Sequence, residues 1–118
     1  MSEIINPKVK RIFTGLTGEP SVPNYEFANP VDKDIELNGI SILPDNSFRA
    51  RGMLKVVIND TPLPVIDGND LIGVAKVQLI EGNSIKKLNR QNSIKFFMWN
   101  PVDNLTVAVT IGITLGKI

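Results

Sequence analysis

The sequence predicts an all-β protein, an antiparallel β-sandwich of jelly-roll form with about eight strands, and three observations carry that prediction. Apolar and polar residues alternate with a period of two along most of the chain, whereas helical 3.6-residue spacing hardly persists beyond two turns. Clusters of Asn, Asp, Gly and Pro punctuate the alternation at short intervals, as turns between short strands do. The 118 residues, 42% of them hydrophobic, suffice for one core, so residues 1–118 are read as a single domain.

The elements follow in order. "VKRIFT" (9–14) reads as a first strand. "GLTGEPSVPNYEFANP" (15–30) carries three prolines and two glycines, and is expected to be a long loop or arm, because proline neither donates to a ladder nor sits in a central strand. "DIELNGISIL" (34–43) changes phase at Asn38-Gly39, which reads as a hairpin turn or, preferably, a bulge. "PDNS" (44–47) is a turn and "FRARGMLKVVIND" (48–60) a strand with Phe48, Ala50, Leu54, Val56 and Ile58 on one face. Pro62 and Pro64 confine "TPLPVI" (61–66) to a short edge strand. "DGND" (67–70) turns into a strand "LIGVAKVQLI" (71–80), and "EGN" (81–83) into a short strand "SIKKL" (84–88). "SIKFFMWN" (93–100) is a strand with Ile94, Phe96 and Met98 on one face and Lys95, Phe97 and Trp99 on the other. "NPVD" occurs at 29–32 and 100–103, which reads as shared turn chemistry: Asn-Pro starts turns and short polar side chains accept from nearby amides.

The last strand raises the functional question. From Leu105 to Leu115 the odd positions are all large aliphatics, and the even ones are Thr106, Ala108, Thr110, Gly112 and Thr114. At about 3.3 Å per residue the run would be roughly 36 Å long, against about 17–20 Å for an ordinary strand. Its aliphatic face belongs in a core. Its small face lacks the Lys, Glu or Arg usual on a solvated strand, so a covering surface is expected, either the chain's own arm or a neighbouring subunit. Together with Pro20, Pro23 and Tyr25 of the arm, these five residues form the expected interface.

Composition narrows the chemistry. Thirteen basic and twelve acidic residues leave a net charge of +1, so no global field recruits nucleic acid or an anionic membrane. The chain has no Cys and no His, which removes disulfides, thiolate chemistry, Cys-ligated metals and the usual base near neutral pH. No catalytic residue, cofactor or metal ligand is assigned, and the protein is read as a non-enzyme. "DGND" lacks the rest of a calcium loop, and "GLTGEP" lacks a P-loop lysine. "MSEIINPKVK" lacks the basic and apolar regions of a signal peptide, and no stretch approaches the roughly 20 apolar residues of a membrane helix.

Two clusters remain. Lys86, Lys87, Arg90 and Lys95, followed by Phe97 and Trp99, have the cations and rings of an oligonucleotide-binding barrel, although Lys86 and Lys87 alternate in direction and edge lysines guard against sheet pairing. Phe97 and Trp99, with Tyr25, are a candidate sugar platform, against the plainer reading that they fill a core. The Pro-rich arm, the all-β pattern, the missing His and Cys and the closing "SIKFFMWNPVDNLTVAVTIGITLGKI" give residues 34–118 a style that resembles small virion proteins of tailed bacteriophages and related viruses, including capsid decoration proteins and tail or fibre β-sandwiches. The resemblance implies a non-catalytic part that assembles with copies of itself or with other virion proteins in the host cytoplasm. Carbohydrate or receptor binding is the alternative, and oligonucleotide binding the third.

Overall fold

A computed structural model of the protein describes residues 8–79 and 87–116. The fold is mostly β, two five-stranded antiparallel sheets packed as a sandwich. Sheet I contains β1 (Lys8–Thr14), β10 (Val107–Leu115), β3 (Ile35–Pro44), β7 (Val77–Gln78) and β8 (Lys87–Leu88), in the order β1-β10-β3-β7 with β8 also on β3. Sheet II contains β2 (Tyr25–Ala28), β9 (Ser93–Trp99), β4 (Met53–Ile58), β5 (Thr61–Pro62) and β6 (Ile66–Asp67), in the order β2-β9-β4-β5 with β6 also on β4.

The pairings nest. β4 meets β5 across a two-residue turn, Asn59-Asp60, with φ of 53° and 64°. Two successive left-handed residues match the twist of the strands they join, and Asn and Asp tolerate that conformation. Outside this turn β4 also takes β6, β3 takes β7 and β8, β2 takes β9, and β1 takes β10. The chain is thus one long antiparallel hairpin, rolled until β10 also reaches β3 and β9 also reaches β4.

Alternation places the core between the sheets. Val107, Val109, Ile111, Ile113 and Leu115 of β10 are buried against Ile94, Phe96 and Met98 of β9 and Leu54, Val56 and Ile58 of β4 in one cluster. The phase change at Asn38-Gly39 is a bulge, since Gly39 pairs with Thr114 and Leu37 with Leu115, leaving Asn38 as the extra residue. That restores Ile35 and Leu37 to the core side.

Several expected strands are shorter or absent. Residues Asn46–Arg51 form a one-and-a-half-turn helix, α1, in place of the strand expected from Phe48. Phe48 is still buried, but Ala50 is exposed, because residues two apart lie on opposite sides of a helix. "DGND" becomes a 3-10 turn over Gly68–Leu71, with the Asp67 carboxylate accepting from the Asn69 amide. Of "LIGVAKVQLI", whose last residue lies outside the described residues, Val77–Gln78 is the part described as a strand. Leu105 lies before β10 and is exposed, so the last strand has nine residues, roughly 30 Å. The turn expected at 81–83 and residues 84–86 of the "SIKKL" strand lie outside the described residues.

Phe48 fixes how α1 docks. Gly52 donates to the Phe48 carbonyl (2.7 Å), and Gly68 donates to the Gly52 carbonyl (2.8 Å). A β-carbon on Gly68 would stand 1.8 Å from the Phe48 carbonyl oxygen, a contact that backbone cannot yield to without moving α1. Gly68→Ala is therefore expected to lower unfolding free energy by about 1–3 kcal/mol in urea titrations, the usual cost of overpacking. Gly18→Ala, where a β-carbon meets nothing within 4 Å, is the matched control and should leave the midpoint near that of the parent.

Candidate functional site

The small residues of β10 face outward in the middle of sheet I, between β1 and β3. Ala108 is opposite Phe13, Thr110 lies between Arg11 and Leu43, Gly112 between Val9 and Ser41, and Thr114 opposite Gly39. Residues paired across a ladder point to the same side, so the small stripe is flanked by large apolar side chains. Val9 is 74% exposed, Phe13 67% and Leu43 42%. Ala108 is itself buried, Thr110 and Gly112 are half-buried, and Thr114 is exposed. Thr106 precedes the strand and is exposed. Gly112 keeps the stripe low: a β-carbon there would stand 2.6 Å from the Ser41 hydroxyl oxygen.

The arginine of this face is matched by a neighbouring carboxylate. The Arg11 guanidinium donates from both terminal nitrogens to Asp45, at 3.0 and 2.5 Å. Asp45 is the residue before α1, yet its side chain makes no cap to the helix and serves the arginine. At the outer margin, Lys8 and Lys10 are opposite Ile113 and Ile111, placing ammonium groups on the core-facing side of an edge strand. Such inward charges oppose the addition of another strand to the edge. The face of sheet I is thus open while its β1 edge is guarded.

The arm does not join this face. Residues 25–28 form β2 on sheet II, where Tyr25 stacks on Phe96 with centroids 5.9 Å apart. The preceding residues are tied to the same sheet: Asn24 donates to the Phe96 carbonyl and accepts from the Met98 amide, Asn100 donates to the Leu16 carbonyl, and Glu19 pairs with Lys55 at 3.1 Å. The segment expected as an arm of the interface is instead held by contacts with sheet II of its own chain. Proline restricts the unfolded chain, and the freed strand edge of β9 supplies the hydrogen bonds that fix the segment. Pro20, Pro23 and Tyr25 are half-buried there, away from Thr110 and Gly112.

The aromatic platform is closed as well. Phe97 and Trp99 do face outward from β9, but Phe97 is only 9% exposed, with the Lys55 ammonium 4.9 Å from its ring centre. Trp99, opposite Met53, is half-buried. The basic cluster also disperses: Arg90 pairs with Asp32 (2.6 Å), Lys87 with Asp34 (3.3 Å), and Lys95 lies on the outer face of sheet II. Lys86 lies outside the described residues. Among the described residues no helix is long and apolar enough to cross a membrane.

The two "NPVD" segments make the same turn at opposite ends of β9. Asn29 accepts from the Val31 amide, and Asn100 accepts from the Val102 amide. Each side-chain amide group then staples neighbouring chain: Asn29 to the carbonyls of Lys33, Leu88 and Asn89, and Asn100 to the Asp103 carboxylate and the Leu105 carbonyl. Each turn's aspartate meets an arginine, Asp32 with Arg90 and Asp103 with Arg51. Around Asn100 the exposed Leu16, Val102 and Leu105 gather into an apolar tip.

Two carboxylates at these ends ionise more readily than usual. Asp103 is lowered first by the Leu105 amide, against a desolvation cost, and further by Asn100 and the charge of Arg51. Asp34 is lowered first by the Arg90 amide and then by Lys87. A carboxylate whose folded-state pKa lies below the roughly 3.9 of an unfolded aspartate contributes stability above about pH 4 and loses it as pH falls through the folded value. The urea midpoint is accordingly expected to fall from about pH 5 to about pH 2, and in Asp103→Asn that fall should be smaller, as followed by tryptophan fluorescence. No protein-family model, curated protein or solved structure matches this chain.

Proposed function

We propose that the protein is a non-catalytic assembly component, a jelly-roll subunit that associates with copies of itself through the outer face of sheet I, in the setting of a virion: capsid decoration, minor capsid or tail part. The observation that carries the reading is the face in which Val9, Phe13 and Leu43 stand exposed around a stripe of small residues. The nested pairing of first strands with last supports the jelly-roll form, a rolled double Greek key that recurs in viral capsid domains. The style of residues 34–118 supports the virion setting.

Size sets the kind of association. The long strands β1, β10 and β3, about 4.8 Å apart, and seven residues of about 3.3 Å give a face of roughly 330 Å². A stable pair usually buries about 800 Å² on each partner. One such contact is therefore weak, and it suits a particle in which many contacts act together. Around the stripe, a face whose one arginine is already matched offers little to a strongly charged partner, whereas a second copy brings the same apolar and hydroxyl groups.

Sedimentation of the parent chain should show a mass that rises reversibly with concentration in the high micromolar range. Thr110→Lys sets an ammonium at the centre of the face, between Arg11 and Leu43, and should hold the protein monomeric while its melting temperature stays near the parent's. A parent that remains monomeric at all concentrations, or a Thr110→Lys protein that associates as before, overturns the reading.

A further inference from the structure

Where the end of β2, the start of β9 and the Asn59-Asp60 turn meet, the outer side of sheet II holds a cleft of about 270 Å³. We propose that this cleft binds the ring of a neutral monosaccharide. The site is separate from the face of sheet I and does not depend on self-association.

Its chemistry is mixed. Glu26 and Lys95 are ladder partners projecting to the same side, yet they form no ion pair with each other, and among the described residues neither makes a side-chain hydrogen bond. Across the cleft Asp60 accepts from the Asn92 amide at 3.2 Å, and that engages one carboxylate oxygen. Gln91 adds a side chain with both a donor and an acceptor. Two carboxylates against one ammonium disfavour phosphate, sulfate or an acidic sugar. Vicinal hydroxyls, each able to donate and accept, match an ammonium, amides and carboxylates side by side. The Ala28 methyl supplies an apolar spot for a ring's C–H face.

Volume and rigidity agree with a small ligand. The cleft lies just under the roughly 300–1,000 Å³ of sites for drug-sized molecules, which leaves room for one ring and excludes a buried chain. Its walls are held before any ligand arrives. The Asn29 side chain is fully engaged with four backbone groups, and Asp60 and Gln91 are fixed at φ of 64° and 60° in their turns.

Titration of the 15N-labelled full chain with the methyl glycosides of glucose, galactose, mannose and N-acetylglucosamine at millimolar concentration tests the proposal. At least one should move the amide signals of Glu26, Ala28, Gln91, Asn92 and Lys95 in a saturable way and leave the face of sheet I unmoved. Glu26→Gln and Lys95→Met change exposed or half-buried side chains and should fold as the parent does, which the remaining spectrum verifies. Each should weaken binding about tenfold or more, the loss expected for a charge-assisted hydrogen bond. No saturable shift with any of the four sugars overturns the proposal. So do shifts located elsewhere, binding undiminished in both variants, or a response only to N-acetylneuraminic acid or to a free amino acid.

Discussion

Everything in this molecule depends on where β10 lies. It is bonded to β1 on one side and to β3 on the other, so its five inward aliphatics cannot move without breaking two ladders. Each is buried to within about one per cent exposure, and full burial of such a side chain contributes about 1.5–3 kcal/mol as an upper bound. Because strand side chains alternate, anchoring the inner face also fixes the outer one. Thr110 and Gly112 are held in the middle of sheet I as a consequence of where Val109, Ile111 and Ile113 must go.

The ends of the sandwich differ in character although they use one device. An asparagine followed by proline folds each "NPVD" segment over its own side chain, and an arginine receives the aspartate. At one end Asp32, Lys33, Asp34, Lys87 and Arg90 leave a charged surface; at the other, Leu16, Val102 and Leu105 leave an apolar one. The cleft beside Asp60 and Asn92 belongs to the charged end. An elongated body of 49 by 29 by 22 Å thus presents chemically distinct ends.

Much of this was legible in the residues. Period two identified β1, β3, β9 and β10, the phase change at Asn38-Gly39 announced its bulge, and the repeated "NPVD" announced its turns. Other features were hidden for physical reasons. "FRAR" is too short for periodicity to separate a helix from a strand, and the close approach of Gly68 to the Phe48 carbonyl, which joins segments twenty residues apart, left no local pattern. Leu105 continued the aliphatic series of β10, but the Asn100 side chain claims its carbonyl and ends the strand pattern before it. The arm was misplaced because prolines reveal where a chain cannot pair, not which edge it will follow. Val9 and Phe13 were ambiguous for a related reason: in "VKRIFT" apolar residues occur in both parities, and only the register with β10 decides which of them face out. The cleft residues come from three separate segments and left no local signal.

The nesting of first strands with last also governs how the chain must fold. Ile12 finds Val109 and Phe13 finds Ala108 only after a loop of nearly a hundred residues has closed, so sheet I is built from contacts of high sequence separation. Such topologies fold in milliseconds to seconds, far more slowly than local hairpins. On a ribosome adding about 5–20 residues each second, β1 and β3 emerge several seconds before the strand that fills the gap between them. During that interval their core-facing aliphatics have no partner. The inward ammonium groups of Lys8 and Lys10 then have a second use, keeping a waiting edge from pairing with the same edge of a neighbouring nascent chain until β10 arrives.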